Sequence, residues 1–364
     1  MNFDYLTRQA KLNAIDGVDA VAIVPGANMV YFTGLHFHLS ERPVLLLWSE
    51  GQLSFIIPEL EVPKLTIRPD IEARIFAWSD TDGYEAAFNE AVKALKLDQG
   101  TLGVDGQSMR VFESMAFQTA GTGKIANIGR DLLNIRAIKT PQEVDAMREA
   151  IRMSELALGQ VVAWAKPGMT EREIGMELSR LLIVAGSQEE AFAPLIQTGP
   201  NSALPHGFIT DRILGADEFL LIDFGGKSEG YPADITRTFC LGTPSDEMVK
   251  IYNAVLAGNQ AGIAAAGPGV ACGDVDKATR DVITAAGYGE YFIHRTGHGL
   301  GLEGHELPQV ASGVKEVLQP GMVFTVEPGI YVPGLGGVRI EDNITITENG
   351  AEVLTQYPRQ LSVG

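Results

Sequence analysis

Cysteine is nearly absent: Cys240 and Cys272 are the only two in 364 residues. One pair cannot frame a chain of this length, so a disulfide scaffold is excluded and a reduced, cytoplasmic setting is expected. Basic charge is short as well. Lys and Arg number 28 against 46 Asp and Glu, a net charge of −18, so neither nucleic acid nor an anionic membrane is an expected partner. No run of about 18 apolar residues occurs, which argues against a membrane-spanning helix. The opening residues, MNFDYLTRQAK, lack the charged start and long apolar core of a signal peptide. A glycine-rich phosphate loop is missing too, since Val24-Pro25-Gly26-Ala27-Asn28 reads as a turn.

What is present fits a globular protein, with 45% hydrophobic and 20% charged residues. The length predicts two domains, 1–135 and 136–364. In the first, Leu6, Leu12 and Ile15 suit a helix closed by Gly17. Strands are expected at Val18–Val24, Met29–Phe32, Pro43–Trp48, Leu53–Ile57, Ala73–Trp78 and Thr101–Val104. Helical patterns lie near 84–95 and 109–119. This alternation predicts an α/β domain with a mostly parallel or mixed sheet. The second domain opens on Thr140-Pro141-Gln142-Glu143, a capping box with proline at the first helical position. Val144, Met147, Ile151, Leu158 and Val162 continue it as an apolar helical stripe, read as core.

That second domain contains an apparent internal repeat. Ala165-Lys166-Pro167-Gly168 opens a segment ending at Ala185-Gly186, and Ala266-Gly267-Pro268-Gly269 opens one ending at Ala286-Gly287, both ends offset by 101 residues. Ile174, Leu181 and Leu182 correspond to Val275, Val282 and Ile283, and Thr170 with Glu173 can cap the first helix. Chance likeness of two amphipathic helices is the competing explanation. Each segment precedes a strand pair carrying acids: Asp223 and Asp234 in FLLIDFGGKSEGYPADITRTF, then Glu327 in FTVEPG and Glu341 in VRIED. An Asp pair alone reads first as turn chemistry. Four carboxylates drawn to a pseudo-twofold axis are different, because like charges brought together protonate unless a cation intervenes. His298, set among glycines in Gly297-His298-Gly299-Leu300-Gly301, adds a nitrogen donor. Two divalent ions about 3.5–4 Å apart resolve the repulsion and bring water's pKa near neutrality. Oxygen donors with one nitrogen favour Mn²⁺, Co²⁺ or Zn²⁺. The chemistry that follows is amide hydrolysis.

These residues carry a resemblance. Residues from about 135 to 360 are similar to the pita-bread metallopeptidases, in particular the prolidase and aminopeptidase P branch, and the preceding domain resembles that branch's creatinase-type N-terminal domain. The resemblance implies that Asp223, Asp234, His298, Glu327 and Glu341 hold two metal ions per chain, with Asp234 and Glu341 bridging and Glu327 also handling the proton of the attacking water. It implies substrate-side roles for His206 and His305, and a substrate-facing or outer role for His294. Arg339, two residues from Glu341, shares its strand face and is expected to order that bridging carboxylate; an ordinary ion pair is the plainer reading. Tyr331 matches a position near the site.

The implied activity is cleavage of the Xaa-Pro bond of dipeptides, with Xaa-Pro aminopeptidase action on longer peptides as the alternative, in a cytoplasmic homodimer. His36 and His38 are expected to share a strand face. With Arg42 they are candidates to line the mouth of the site, Arg42 holding a peptide's C-terminal carboxylate. Creatinase-like hydrolysis without metal, methionine aminopeptidase action and a non-catalytic binding module are less well matched. All five ligand positions are filled, and the extra N-terminal domain and Arg339-Ile340-Glu341-Asp342 count against methionine aminopeptidase.

Overall fold

The computed structural model describes residues 3–362. In sequence, the chain divides between Ile135 and Arg136 into two compact units.

The N-terminal unit is built on a mixed sheet. Strands β1 (Ala20–Ile23), β2 (Leu45–Ser49), β3 (Gln52–Pro58), β4 (Ala73–Trp78), β5 (Thr101–Val104) and β6 (Lys124–Asn127) lie in the order β4-β3-β2-β1-β5-β6. The first three pair antiparallel, while β3–β4, β1–β5 and β5–β6 are parallel. Glu50 and Gly51 both take positive φ, 51° and 77°, as a two-residue hairpin whose twist matches its strands requires. Helices α1 (Tyr5–Ala10), α2 (Ala27–Thr33), α3 (Glu85–Ala94) and α4 (Val111–Thr119) accompany the sheet. Phe88 of α3 and Phe117 of α4 meet edge-on at 4.9 Å inside its core.

Two expectations fail here. Met29–Phe32 is helix, not strand, because α2 buries Met29 and Phe32 together on one face and stops at Gly34 with φ 70°. A four-residue apolar run does not distinguish the two periods. His36 and His38 lie in irregular chain and are exposed, so they share no strand face. The Arg42 guanidinium already has a carboxylate: Nε and Nη2 donate to the two oxygens of Asp80 at 2.9 and 2.8 Å, and Nη1 donates to Glu41.

Helix α5 (Gly129–Ala137) spans the division in sequence, and the C-terminal unit then runs as two similar halves. The first has helices α6 (Pro141–Trp164) and α7 (Glu171–Val184), strands β7 (Leu195–Thr198) and β8 (Phe219–Phe224), the two-residue β9 (Lys227–Ser228) and β10 (Tyr231–Pro232), and β11 (Ile235–Cys240). The second has α8 (Asp246–Ala265), α9 (Cys272–Ala285), β12 (Gly297–Gly299), β13 (Glu306–Val310), β14 (Val323–Val326), β15 (Gly329–Val332), β16 (Gly336–Arg339), β17 (Asp342–Thr347) and β18 (Gly350–Val353). Their sheets run β11-β8-β7 and β13-β12-β14-β17-β18. Helices α7 and α9 are each 14 residues long and start at 171 and 272, which is the repeat offset of 101. Capping boxes start α6 at Thr140 and α7 at Thr170. Among the described residues no helix is long and apolar enough to cross a membrane.

Candidate metal centre

The two halves deliver acids from equivalent strand ends. In the first, β8 and β11 pair with Asp223 opposite Thr236 and Phe224 opposite Ile235, so Asp234 is the residue that enters β11. In the second, β14 and β17 pair with Val326 opposite Asp342, so Glu327 leaves one strand and Glu341 enters the other. Strand β12 inserts His298 beside them. The glycines around it are required by close approach: a Cβ on Gly297 would lie 1.8 Å from the Thr325 carbonyl oxygen, and one on Gly299 would lie 2.0 Å from that of Leu307.

The donors converge. Asp234, His298 and Glu341 each turn one ligand atom inward, all within 4.8 Å of one another, and all three residues are buried. The imidazole Nε2 lies 3.2 Å from Glu327 Oε1 and 3.7 Å from Asp234 Oδ2. His298 Nδ1 donates to the Gly299 carbonyl at 3.2 Å, which leaves the Nε2 lone pair facing the acids. Burial, with help from the neighbouring His305, pushes the His298 pKa down to about 3, so the ring is neutral. Burial pushes Asp234 and Glu341 well above the usual carboxylate range, and the adjacent acids push them further. It also raises Glu327 to about 7, against the pull of Arg339.

Arg339 is held differently from expectation. Its Nη2 pairs with Asp223 Oδ2 at 2.5 Å, and its Nη1 donates to the Tyr331 hydroxyl at 2.7 Å. It reaches Glu341 only through Thr236: Arg339 Nε donates to the Thr236 hydroxyl at 3.1 Å, which donates to Glu341 Oε2 at 2.6 Å. His294 is also constrained. Its Nδ1 donates to the Arg295 carbonyl at 2.7 Å, and its Nε2 accepts from the Tyr331 hydroxyl at 2.9 Å. Both nitrogens are engaged and burial lowers its pKa to about 4, so His294 holds Tyr331 in place and offers no spare donor.

A cavity of about 910 Å³ opens over this cluster, lined by all five donors with His206, His294, His305, Arg295 and Arg339. Ala191, Phe192 and Pro205 supply an apolar stretch of wall. The His305 ring stands 4.0 Å from that of His298, centre to centre, and burial lowers its pKa. His206 is exposed, in the irregular segment 204–212 that follows the short 3-10 helix Gly199–Ala203, and Glu171 holds this stretch on either side of it. The buried Glu171 carboxylate accepts from the amides and hydroxyls of Thr198 and Thr210 and from Asn201 Nδ2, at 2.6–3.0 Å.

The residues fit divalent cations. Asp223 Oδ1 is buried without a hydrogen-bond partner among the described residues, a neutral imidazole presents its lone pair, and burial together with mutual repulsion pushes Asp234 and Glu341 toward protonation. Carboxylate oxygens grouped with one imidazole nitrogen suit a divalent cation.

Residues 145–348, more than half of the chain, match metallopeptidase family M24. The chain belongs to that family. Residues 7–138 of this M24 metallopeptidase match the creatinase/prolidase N-terminal domain, so the fold is a creatinase-type domain followed by a pita-bread domain. It is 37% identical over 364 residues to an uncharacterized peptidase of Staphylococcus saprophyticus, covering 99% of this chain and 100% of that protein. The structure is similar to an Xaa-Pro dipeptidase from Bacillus anthracis, with TM-score 0.91, 32% identity, and 99% and 100% of the two chains covered. It is also similar to an X-Pro aminopeptidase from Thermotoga maritima, with TM-score 0.86, 32% identity, and 97% and 100% covered. Family membership implies divalent metal and a peptide substrate.

Sequence reading missed the residues that hold the donors. Thr236 and Thr325 looked like ordinary β-branched strand residues, yet Thr325 donates to Glu327 Oε1 at 3.2 Å. Asn343 accepts from the Asp234 amide at 3.1 Å and donates back to its carbonyl. Only the alternation of Thr236 with Asp234 hinted at a shared face. Glu171 left no signal beyond its place at a helix start.

Proposed function

We propose that this M24 metallopeptidase hydrolyses the Xaa-Pro bond at the N-terminus of dipeptides, using two divalent ions held by Asp223, Asp234, His298, Glu327 and Glu341. The observation that carries the reading is the convergence of buried acids on the neutral Nε2 of His298, beside an orphaned Asp223 oxygen. Bound there, divalent cations supply Lewis acidity that makes water nucleophilic near neutral pH. Glu327 receives the proton that the attacking water loses. As the water oxygen bonds to the carbonyl carbon and the C–N bond breaks, that proton passes to the departing proline nitrogen. His305 and His206 face the same cavity and donate toward the oxygen on which charge develops. Phe192, Ala191 and Pro205 form an apolar wall suited to a proline ring. Arg339, Tyr331 and His294 form a hydrogen-bonded row that orients Asp223.

Xaa-Pro aminopeptidase action on longer peptides is the second reading, favoured by the resemblance to the Thermotoga maritima enzyme. Turnover of Ala-Pro, Ala-Pro-Ala and Met-Ala-Ser with added Mn²⁺, Co²⁺ or Zn²⁺ separates them. Ala-Pro as the best substrate supports the dipeptidase, and Ala-Pro-Ala the aminopeptidase. Met-Ala-Ser as the best substrate refutes both. We further propose a cytoplasmic homodimer. Cys240 and Cys272 are both free and buried, as a reducing compartment allows, and light scattering tests the dimer.

A further inference from the structure

The irregular segment 354–361 follows β18, and among the described residues lining the cavity none belongs to it. It is nevertheless tied down along its length. The Leu354 amide donates to the Asn343 carbonyl at 2.8 Å, the Tyr357 amide to Glu155 Oε1 at 2.6 Å, and the Cys240 amide to the Leu361 carbonyl at 2.7 Å. Seated in this way, the segment presents three groups to the residues behind the metal donors. The buried Thr355 hydroxyl accepts from the Asn343 amide at 2.9 Å. The Tyr357 carbonyl accepts from Arg237 Nη2 at 2.9 Å. Arg359 Nε donates to Asp342 Oδ2 at 2.8 Å.

Short chains of hydrogen bonds lead from these groups to the donors. Asn343 holds the Asp234 backbone from both sides, accepting from its amide at 3.1 Å and donating to its carbonyl. Asp342 Oδ1 accepts from Arg237 Nη2 at 2.7 Å, and Arg237 Nη1 donates to the Glu341 carbonyl at 2.6 Å. Asn259 Nδ2 completes the hub, donating to Asp342 Oδ2 at 3.0 Å and to the Val326 carbonyl, next to Glu327, at 2.9 Å. Arg237, Asp342 and Asn259 are all buried. Burying a charged hub carries a desolvation cost that pairing offsets only in part, so stability alone is a weak reason for it. A geometric reason is at hand. Acids gathered for a cation repel one another before it binds, and a backbone free to shift would let them part. Holding Asp234 and Glu341 from behind keeps their carboxylates where one cation meets both.

We propose that segment 354–361 braces the metal centre: through Thr355 and Arg359 it fixes the backbone of Asp234 and Glu341, and so sets cation affinity from outside the cavity. The proposal rests on the metal-centre reading above and adds to it positioning residues that touch neither ion nor substrate.

The test is Mn²⁺ binding by chelator competition on the full chain, for wild type, Thr355→Val, Thr355→Ser, Arg359→Ala and Arg359→Lys. Affinity is expected to fall roughly 10-fold in Thr355→Val and in Arg359→Ala, the lower end of the range for outer partners of ligands, and to recover in large part in Thr355→Ser and Arg359→Lys. Urea midpoints of the metal-free proteins are measured alongside. A segment that only stabilises the fold would lower those midpoints and leave the affinity of the folded chain at the wild-type value. That result in both Thr355→Val and Arg359→Ala overturns the proposal. Circular dichroism identifies a variant that does not fold; Thr355→Val, close to isosteric, then carries the comparison, and unchanged affinity there overturns the proposal by itself. Wild type that takes up no Mn²⁺, Co²⁺ or Zn²⁺ removes the metal centre and the brace together, whereas tight binding by wild type with unchanged variants removes the brace alone.

Discussion

A single hydroxyl, that of Thr236, stands between Arg339 and Glu341, accepting from one at 3.1 Å and donating to the other at 2.6 Å. Thr236→Val keeps the shape and removes the link, and outer partners of this kind are worth about 10- to 100-fold in metal affinity or activity. Metal titration and kcat/KM on Ala-Pro measure that loss; affinity equal to wild type would make Thr236 mere filler. The acids themselves predict a pH effect. Without cations, burial raises Asp234 and Glu341 well above the carboxylate range and Glu327 to about 7. Cations bind the deprotonated forms, so protons are expelled on binding and apparent affinity weakens as pH falls below about 7. Calorimetry at pH 6.5 in two buffers of different ionisation enthalpy should show net proton release, and equal heats would contradict it. The four acids stood out in sequence because each lies at or beside the end of a short apolar strand, where an acid is out of place, and His298 stood out because glycines flank it. The partners did not. Arg339 and Asp223 are 116 positions apart, so nothing in the local pattern of VRIED showed that the arginine serves Asp223 and not Glu341.

At the scale of elements, helix starts were read correctly where side chains cap them and wrongly where a short run was ambiguous. Thr140 accepts from the Glu143 amide, and the Glu143 carboxylate accepts from the Thr140 amide in return. Thr140→Ala should lower stability by about 1 kcal/mol, read from a urea midpoint, with turnover per metal-loaded chain unchanged. The segment 199–212 depends on a neighbour the sequence could not reveal. Glu171, at the start of α7, bonds Thr198, Asn201 and Thr210 around His206. Glu171→Ala strands several buried donors and should destabilise the unit by on the order of 3 kcal/mol. Glu171→Gln, which can still accept, should fold, keep its metal and lose kcat/KM by loosening His206. Retained wild-type kinetics in Glu171→Gln would detach the loop from function.

At the scale of the molecule, one buried ionic cluster ties the start of the C-terminal unit to the strand after His305. Glu306 Oε2 accepts from Lys139 Nζ at 3.0 Å and Glu306 Oε1 lies 3.0 Å from Arg136 Nη2. Burial alone would raise the Glu306 pKa, but Lys139 and Arg136 outweigh it and the net shift is downward. A folded pKa below the unfolded value contributes stability above about pH 4.3 and loses it as pH falls through the folded pKa. Glu306→Gln should therefore be less stable than wild type at pH 7, with the gap closing in acid. Urea midpoints from pH 3 to pH 7 measure it, and a gap independent of pH would refute the assignment.

The duplication is not an equal one. The first half's Asp223 is tied to an arginine, while the second half's Glu327 leans on a histidine and a threonine hydroxyl. Two ions seated between such dissimilar holders would differ in grip. A graded chelator should strip them in sequence, leaving a half-loaded species at intermediate concentrations, and dialysed preparations would then be mixtures whose specific activity depends on handling.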